Sequence, residues 1–238
     1  MVSESLVGRV ALVTGASSGI GAAVAQRLRA AGVLVAAISR HPEPSTDPSL
    51  LPLTADVRDA SSMKQAVDAT VSAFGGVDIV VANAGVGSWG PVEDTPLAEV
   101  SEMIDVNVMG LINTVRAALP ALRQSSTADI VTIASEAGRR GLPDEAVYVA
   151  SKFAQIGFTR SIDHELRAAG IRCVNICPGG VATNFGMGRG LREPGMPELE
   201  NMMRPDDVAD VAEFALTRPR HLRLLEVAFR HVSESSWG

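Results

Sequence analysis

The chain has 238 residues, enough for one large α/β domain and short for two, and its 46% hydrophobic and 20% charged residues suit a globular protein with a sizeable core. A net charge of −6 excludes the basic footprint that nucleic-acid binding needs, and no run nears the roughly 20 apolar residues of a membrane-spanning helix. Met1 to Gly8 lacks the basic-then-apolar order of a signal peptide, so a cytoplasmic protein is the expectation.

In chain order, Arg9 to Val13 is a short apolar run that ends at a glycine-rich turn, Thr14 to Gly21. Ile20, Val24, Leu28 and Ala31 recur at helical spacing until Gly32 stops the helix. Val33 to Ile38 is almost continuously hydrophobic, as a parallel strand covered on both faces must be. His41 to Pro52, rich in proline and serine, reads as a surface loop, and Leu51 to Ala55 and Val77 to Ala82 as strands flanking a helical Ser61 to Phe74. Leu97 to Leu122 predicts one long helix with room for a bend, followed by a strand at Asp129 to Ala134. Val147 to Ala169 is helical again, and Gly170 separates it from a strand at Ile171 to Ile176. That stretch carries both cysteines, Cys173 and Cys177, on one face about two pleats apart, too far to bridge; buried thiols are expected and no metal set accompanies them. Asn184 to Met203 holds four glycines and two prolines and is too long for a plain connector, which suggests a substrate loop. Asp206 to Leu216 is a last helix and Leu224 to Phe229 a last strand.

Helices alternating with strands in this way predict a Rossmann-type, doubly wound parallel sheet spanning residues 1–238 as a single domain. Right-handed crossovers then set every strand's C-terminal end on one edge, where ligands bind. The turn Thr14-Gly15-Ala16-Ser17-Ser18-Gly19-Ile20-Gly21 sits on that edge between strand and helix, aiming backbone N–H groups at a pyrophosphate. Gly15 permits the turn, Gly19 removes a side chain where phosphates approach, and Gly21 lets helix and strand pack closely.

This G-x3-G-x-G turn resembles the cofactor signature of the short-chain dehydrogenases/reductases, and further landmarks follow in register. Asp56-Val57 resembles the pair that contacts the adenine ring, and Asn83-Ala84-Gly85 the motif that steadies the sheet and lines the cofactor. Asn107, Ser135, Tyr148-x-x-x-Lys152 and Pro178-Gly179 complete the set, which extends through Val181 to Thr183. Tyr148 and Lys152 are four apart on a helix, so they leave one face, and an ammonium there stabilises a phenolate. The resemblance implies hydride transfer between nicotinamide and a substrate carbon, with Tyr148 exchanging the proton on its oxygen. It further implies that Lys152 binds the nicotinamide ribose and tunes Tyr148, and that Ser135 orients the substrate oxygen. Asn107 would widen its helix and hold a water that links the lysine to solvent. The reaction is then carbonyl reduction or its reverse.

The second strand ends in Ser39-Arg40 where NAD-selective folds carry a carboxylate, so a 2′-phosphate meets no repulsion and Arg40 can clamp it. NADP(H) is the favoured cofactor, with NAD(H) and an NAD-linked alcohol dehydrogenase as the alternative. A silent dinucleotide sensor is a remoter one. Glu136, Leu142, Pro143 and Val147 beside the Tyr–Lys pair, with Gly180, Phe185 and Trp89 above, are the expected substrate walls. Glu136 either favours a cationic or hydroxylated substrate or faces solvent. The ending Leu224 to Arg230 is loosely similar to NADP-dependent 3-hydroxy acid dehydrogenases, and Ser233 to Gly238, with Trp237, would pack on a neighbouring subunit or fray. The resemblance implies a homotetramer or homodimer acting on a small carbonyl or alcohol, with neither a nucleic-acid nor a membrane partner.

Overall fold

The computed structural model describes residues 4–186, 192–193 and 195–234. Among these, seven strands form one sheet: β1 (Val10–Thr14), β2 (Leu34–Ser39), β3 (Leu50–Thr54), β4 (Ile79–Ala82), β5 (Asp129–Ile133), β6 (Arg172–Pro178) and β7 (Glu226–Phe229). Every pairing is parallel, in the order β3-β2-β1-β4-β5-β6-β7. The order reverses direction between β1 and β4, and that switch point opens a crevice at the strands' C-terminal ends. The helices are α1 (Gly19–Ala30), α2 (Ala60–Phe74), α3 (Leu97–Ile104), α4 (Gly110–Leu122), α5 (Ala146–Leu166), the short α6 (Pro197–Glu200) and α7 (Pro205–Leu216). None of the described helices is long and apolar enough to cross a membrane.

Successive side chains of a strand point to opposite faces, and here both faces are apolar. Ala11, Val13, Val35, Ile79, Val81, Val131 and Ile176 pack beneath α1 and α7. Leu12, Ile38, Val80, Ile130 and Cys173 pack on the other side beneath α2, α4 and α5. Both thiols are free and buried, and burial pushes each up to about 12. A thiolate-dependent reagent should therefore label neither in the native protein at pH 8 and both after denaturation; rapid native labelling would contradict the packing of β6.

The structure sharpens three expectations. Residues 97–122 are not one regular helix. A π turn, Asp105–Met109, divides α3 from α4, with Asn107 fully buried inside it. Gly110 follows because a Cβ there would lie 2.6 Å from Val57 Cγ2. Pro52, where the expected loop and strand overlap, lies within β3; that strand is at the sheet's edge, where a missing N–H faces solvent. Gly21 sits where a Cβ would meet the Gly15 carbonyl oxygen at 2.2 Å and Asn83 Nδ2 at 2.4 Å. A Gly21→Ala change is thus expected to cost at least about 2 kcal/mol of stability, read as a lowered melting temperature.

The N-terminal ends of the strands, opposite the crevice, are closed by charge. Asp129 receives Arg9 at 2.7 Å, Arg172 at 2.6 Å and Arg220 at 2.9 Å, while the three guanidiniums also donate to nearby backbone carbonyls. Removing that carboxylate would strand three cations, so Asp129 belongs to the frame.

Candidate active site

One crevice of 610 Å³ runs along the C-terminal edge from the end of β2 to the start of α5. At its centre the first turn of α1 faces the cavity, and Ser18 before it makes no side-chain cap bond, so the helix's initial N–H groups remain open to a ligand. Gly15 and Gly19 have φ of +67° and +55°, conformations that cost a glycine little. A Cβ on Gly15 would strike Asn83 at 2.8 Å, and one on Gly19 would press Thr183 at 3.2 Å. Asn83 holds the turn from behind, donating to the Thr14 and Gly15 carbonyls, while the Thr14 hydroxyl accepts from Asn83 N and Ala84 N.

Toward the β2 end the walls are Ser39, Arg40, Asp56, Val57 and Arg58. Ser39 Oγ is buried with no hydrogen-bond partner among the described residues, and no carboxylate stands beside it on the strand. Arg40 is exposed and lines the crevice. Asp56 is engaged by Arg58 at 2.5 Å, and that hydrogen bond, with the Arg40 charge adding, holds its carboxyl below the usual range. A glycine cradle at a helix N-terminus with an orphaned hydroxyl beyond it fits a dinucleotide's phosphates and adenosine ribose.

At the other end Ser135, Tyr148 and Lys152 come together. Ser135 follows β5, accepts from Ala137 N at 3.1 Å, and hydrogen-bonds the Tyr148 phenol. Lys152 is 4% exposed, its Nζ 5.7 Å from the centre of the Tyr148 ring. Burial dominates both titrations: it pushes Tyr148 up to about 12, against the pull of Ser135 and Arg192, and Lys152 down to about 8. Desolvation is the largest influence on Tyr148, and the opposing pull comes from Ser135 and Arg192.

Of the other sequence-predicted residues, Ser17, Ser18, Ile20, Ala84, Gly85, Pro178, Gly179, Val181 and Thr183 line the crevice, as do Leu142, Gly180, Phe185 and Trp89. Gly21 stands behind the cradle. Val147 and Pro143 are not among the lining residues, because the loop before α5 presents Leu142 and Glu145 instead. Glu136 lines the crevice but is not solvated: it is 4% exposed and clamped by Arg230 at 2.5 Å and Arg140 at 3.3 Å, which ties the end of β5 to the segment after β7. Asn107 lies outside the crevice wall. Its Oδ1 accepts from Val86 N, its Nδ2 donates to Val86 O and Ser151 Oγ, and its backbone carbonyl accepts from Gln155 Nε2 at 2.7 Å. Trp237 and residues 187–191 of the expected substrate loop lie outside the described residues.

Sequence reasoning missed four crevice or near-crevice groups. Arg192 donates to the Val181 carbonyl at 3.2 Å and stands 5.7 Å from the Trp89 ring. Glu145 is raised by burial while Arg192 and Arg140 pull it down, and Glu234 accepts from Gly180 N at 3.0 Å. Gln155 was legible: Tyr148, Ser151, Lys152, Gln155 and Thr159 form a polar column three or four apart. Such a column on a helix's inner face marks buried polar work. Arg192 and Glu234 gave no such sign, because both come from irregular segments folded back over the crevice.

The short chain dehydrogenase family model matches residues 9–193. An oxidoreductase of Staphylococcus epidermidis without assigned substrate is 33% identical over 231 residues, 94% of this chain and 97% of that protein. An alcohol dehydrogenase of Thermococcus sibiricus, solved with 5-hydroxy-NADP, superposes with a TM-score of 0.85 at 29% identity, covering 97% and 99% of the two chains. The 3-ketoacyl-(acyl-carrier-protein) reductase of Brucella melitensis, solved with NADH, gives 0.81 at 30% identity, covering 94% and 98%. The crevice, its glycine cradle and these matches together place the chain in the short-chain dehydrogenase family, as an NAD(P)-dependent oxidoreductase.

Proposed function

We propose that the chain is an NADP(H)-dependent carbonyl reductase, with Ser135, Tyr148 and Lys152 as its catalytic residues. The observation that carries this reading is their convergence at one end of the crevice whose other end bears Ser39 and Arg40. The bound dinucleotide would supply the hydride, or accept it in the reverse direction. Tyr148, its proton held on the phenol by burial, donates that proton to the substrate oxygen as the carbonyl becomes an alcohol. Ser135 donates a hydrogen bond to the same oxygen where negative charge develops. Lys152 offers a cavity-facing N–H to the nicotinamide ribose and steadies the phenolate that remains. At the far end Arg40 clamps the 2′-phosphate and Ser39 Oγ supplies a neutral donor beside it.

The substrate chamber has aromatic walls. Phe185 packs 5.7 Å from Tyr148 and 6.4 Å from Trp89 between ring centres. Arg192 lines this chamber together with Arg140 and Lys152, and its charge reaches Tyr148. A carbonyl compound bearing a carboxylate or other anionic group suits it. Arg192→Met should raise KM for such a substrate roughly tenfold or more while sparing a neutral carbonyl compound, the size of one lost charge-assisted hydrogen bond. Equal changes for both substrates would remove the anionic assignment. A panel of neutral and anionic carbonyl compounds, followed by reduced-nicotinamide absorbance with NADPH and NADH, tests the function as a whole. Exposed Leu97, Ile104, Met109 and Phe153 on α3, the π turn and α5 support a homodimeric or homotetrameric assembly.

A further inference from the structure

The inner face of α5 holds an unusual polar group beneath the lysine. Gln155 is 2% exposed and makes two hydrogen bonds. Its Nε2 donates to the Asn107 carbonyl at 2.7 Å, and its Oε1 accepts from Lys152 Nζ at 2.9 Å. The amide cannot be turned over, since a carbonyl only accepts and an ammonium only donates. The Asn107 carbonyl lies in the π turn Asp105–Met109, where the widened helix leaves room for a partner from α5. Asn107 is itself fixed to Val86 and Ser151 through its side chain, and Ser151 Oγ donates to the Tyr148 carbonyl at 2.7 Å. Lys152 Nζ also donates to a backbone carbonyl, Ile133 O, at 3.3 Å. With two of three N–H groups taken on the protein side, one remains for the crevice.

We propose that Gln155 is the positioning residue for Lys152, a neutral bridge that ties the lysine nitrogen to the π turn and leaves a single N–H directed at the ligand. The proposal rests on the reading of Lys152 as part of the reaction site. It also revises the route expected through Asn107. A primary amide accepts on oxygen and donates on nitrogen, so it passes a proton only by forming the costly imidic acid tautomer. The Gln155–Asn107 link is therefore a positioning contact and not itself a proton wire. Burial pushes Lys152 down, and the groups that act against it are few: the Cys177 thiol on β6 and Tyr148 on the same helix. Residues 84–87 and 133–135 are uncharged, and Asp105 of the π turn is exposed and acts on Arg58.

The chain has only two lysines, Lys152 and Lys64, which makes the test direct. With 13C at the lysine ε-carbon, an NMR pH titration of the full chain reads both, and exposed Lys64, paired with Asp68, serves as internal reference. Gln155→Met removes the acceptor at similar length and should lower the Lys152 midpoint by about one further pH unit, with Lys64 unmoved. Gln155→Glu places a carboxylate there and should raise it by about one unit or more. The basic limb of the pH profile of kcat/KM should move in the same two directions. If neither variant moves the midpoint, or both move it alike, the proposal is overturned, and the Glu variant decides alone if the Met variant fails to fold. Absence of carbonyl turnover in the parent would count against the functional reading only, because the NMR midpoints report on the bridge without it.

Discussion

Replacing Tyr148 with phenylalanine is expected to lower kcat for carbonyl reduction about 10³-fold while leaving dinucleotide affinity within a few-fold, the loss typical of a removed general acid. The ring would stay packed against Phe185, so only the hydroxyl, its hydrogen bond with Ser135 and its proton are lost. The phenol's environment also sets the direction of its pH dependence. Burial raises it to about 12 in the free protein, so the proton is present throughout the neutral range and reduction is poised to proceed. Oxidation needs the phenolate, and its rate should climb with pH until Lys152, near 8, gives up its own charge. Because Tyr148 is the only tyrosine, tyrosinate absorbance reports this group alone. Its midpoint should lie far above 10 in the free protein and fall when oxidised dinucleotide adds positive charge beside it. A Tyr148→Phe variant that turned over at the parental rate would remove the phenol from the mechanism.

Arg40→Asp is expected to reduce the ratio of kcat/KM with NADPH to that with NADH about 100-fold or more. The estimate combines a lost charge-assisted clamp with a new repulsion between carboxylate and 2′-phosphate. The same carboxylate can accept from a ribose 2′-hydroxyl, so affinity for NADH should rise as that for NADPH falls. Ser39 adds a smaller share, since its buried Oγ lacks a partner among the described residues. An unchanged ratio would mean that Arg40 is only a solvated surface side chain.

The sheet was legible because its strands are apolar on both faces, a pattern that only a doubly covered parallel sheet explains, and the seven strands occur where runs such as Val33 to Ile38 and Val77 to Ala82 announced them. The glycine turn and the Tyr–Lys–Ser landmarks were legible because their positions are set by local spacing. What the sequence hid was long-range. The π turn at Asp105–Met109 presents a carbonyl to a partner 48 positions away, Gln155, and helical periodicity cannot show it. Glu136 lines the crevice as expected, but its clamp was hidden because its partner Arg230 comes from the far end of the chain, 94 positions on. Arg192 was overlooked because it approaches the crevice from a segment with no periodicity at all.

The most direct test follows the hydride itself. Reduced dinucleotide carrying deuterium at nicotinamide C4 is incubated with the protein and an aldehyde or ketone, and the product is examined by mass spectrometry and NMR. Deuterium on the carbinol carbon, in one stereochemical sense and absent in Tyr148→Phe over the same time, is the expected result. A dinucleotide that binds in the crevice yet keeps its label across a broad panel of carbonyl compounds would contradict the assignment as a carbonyl reductase.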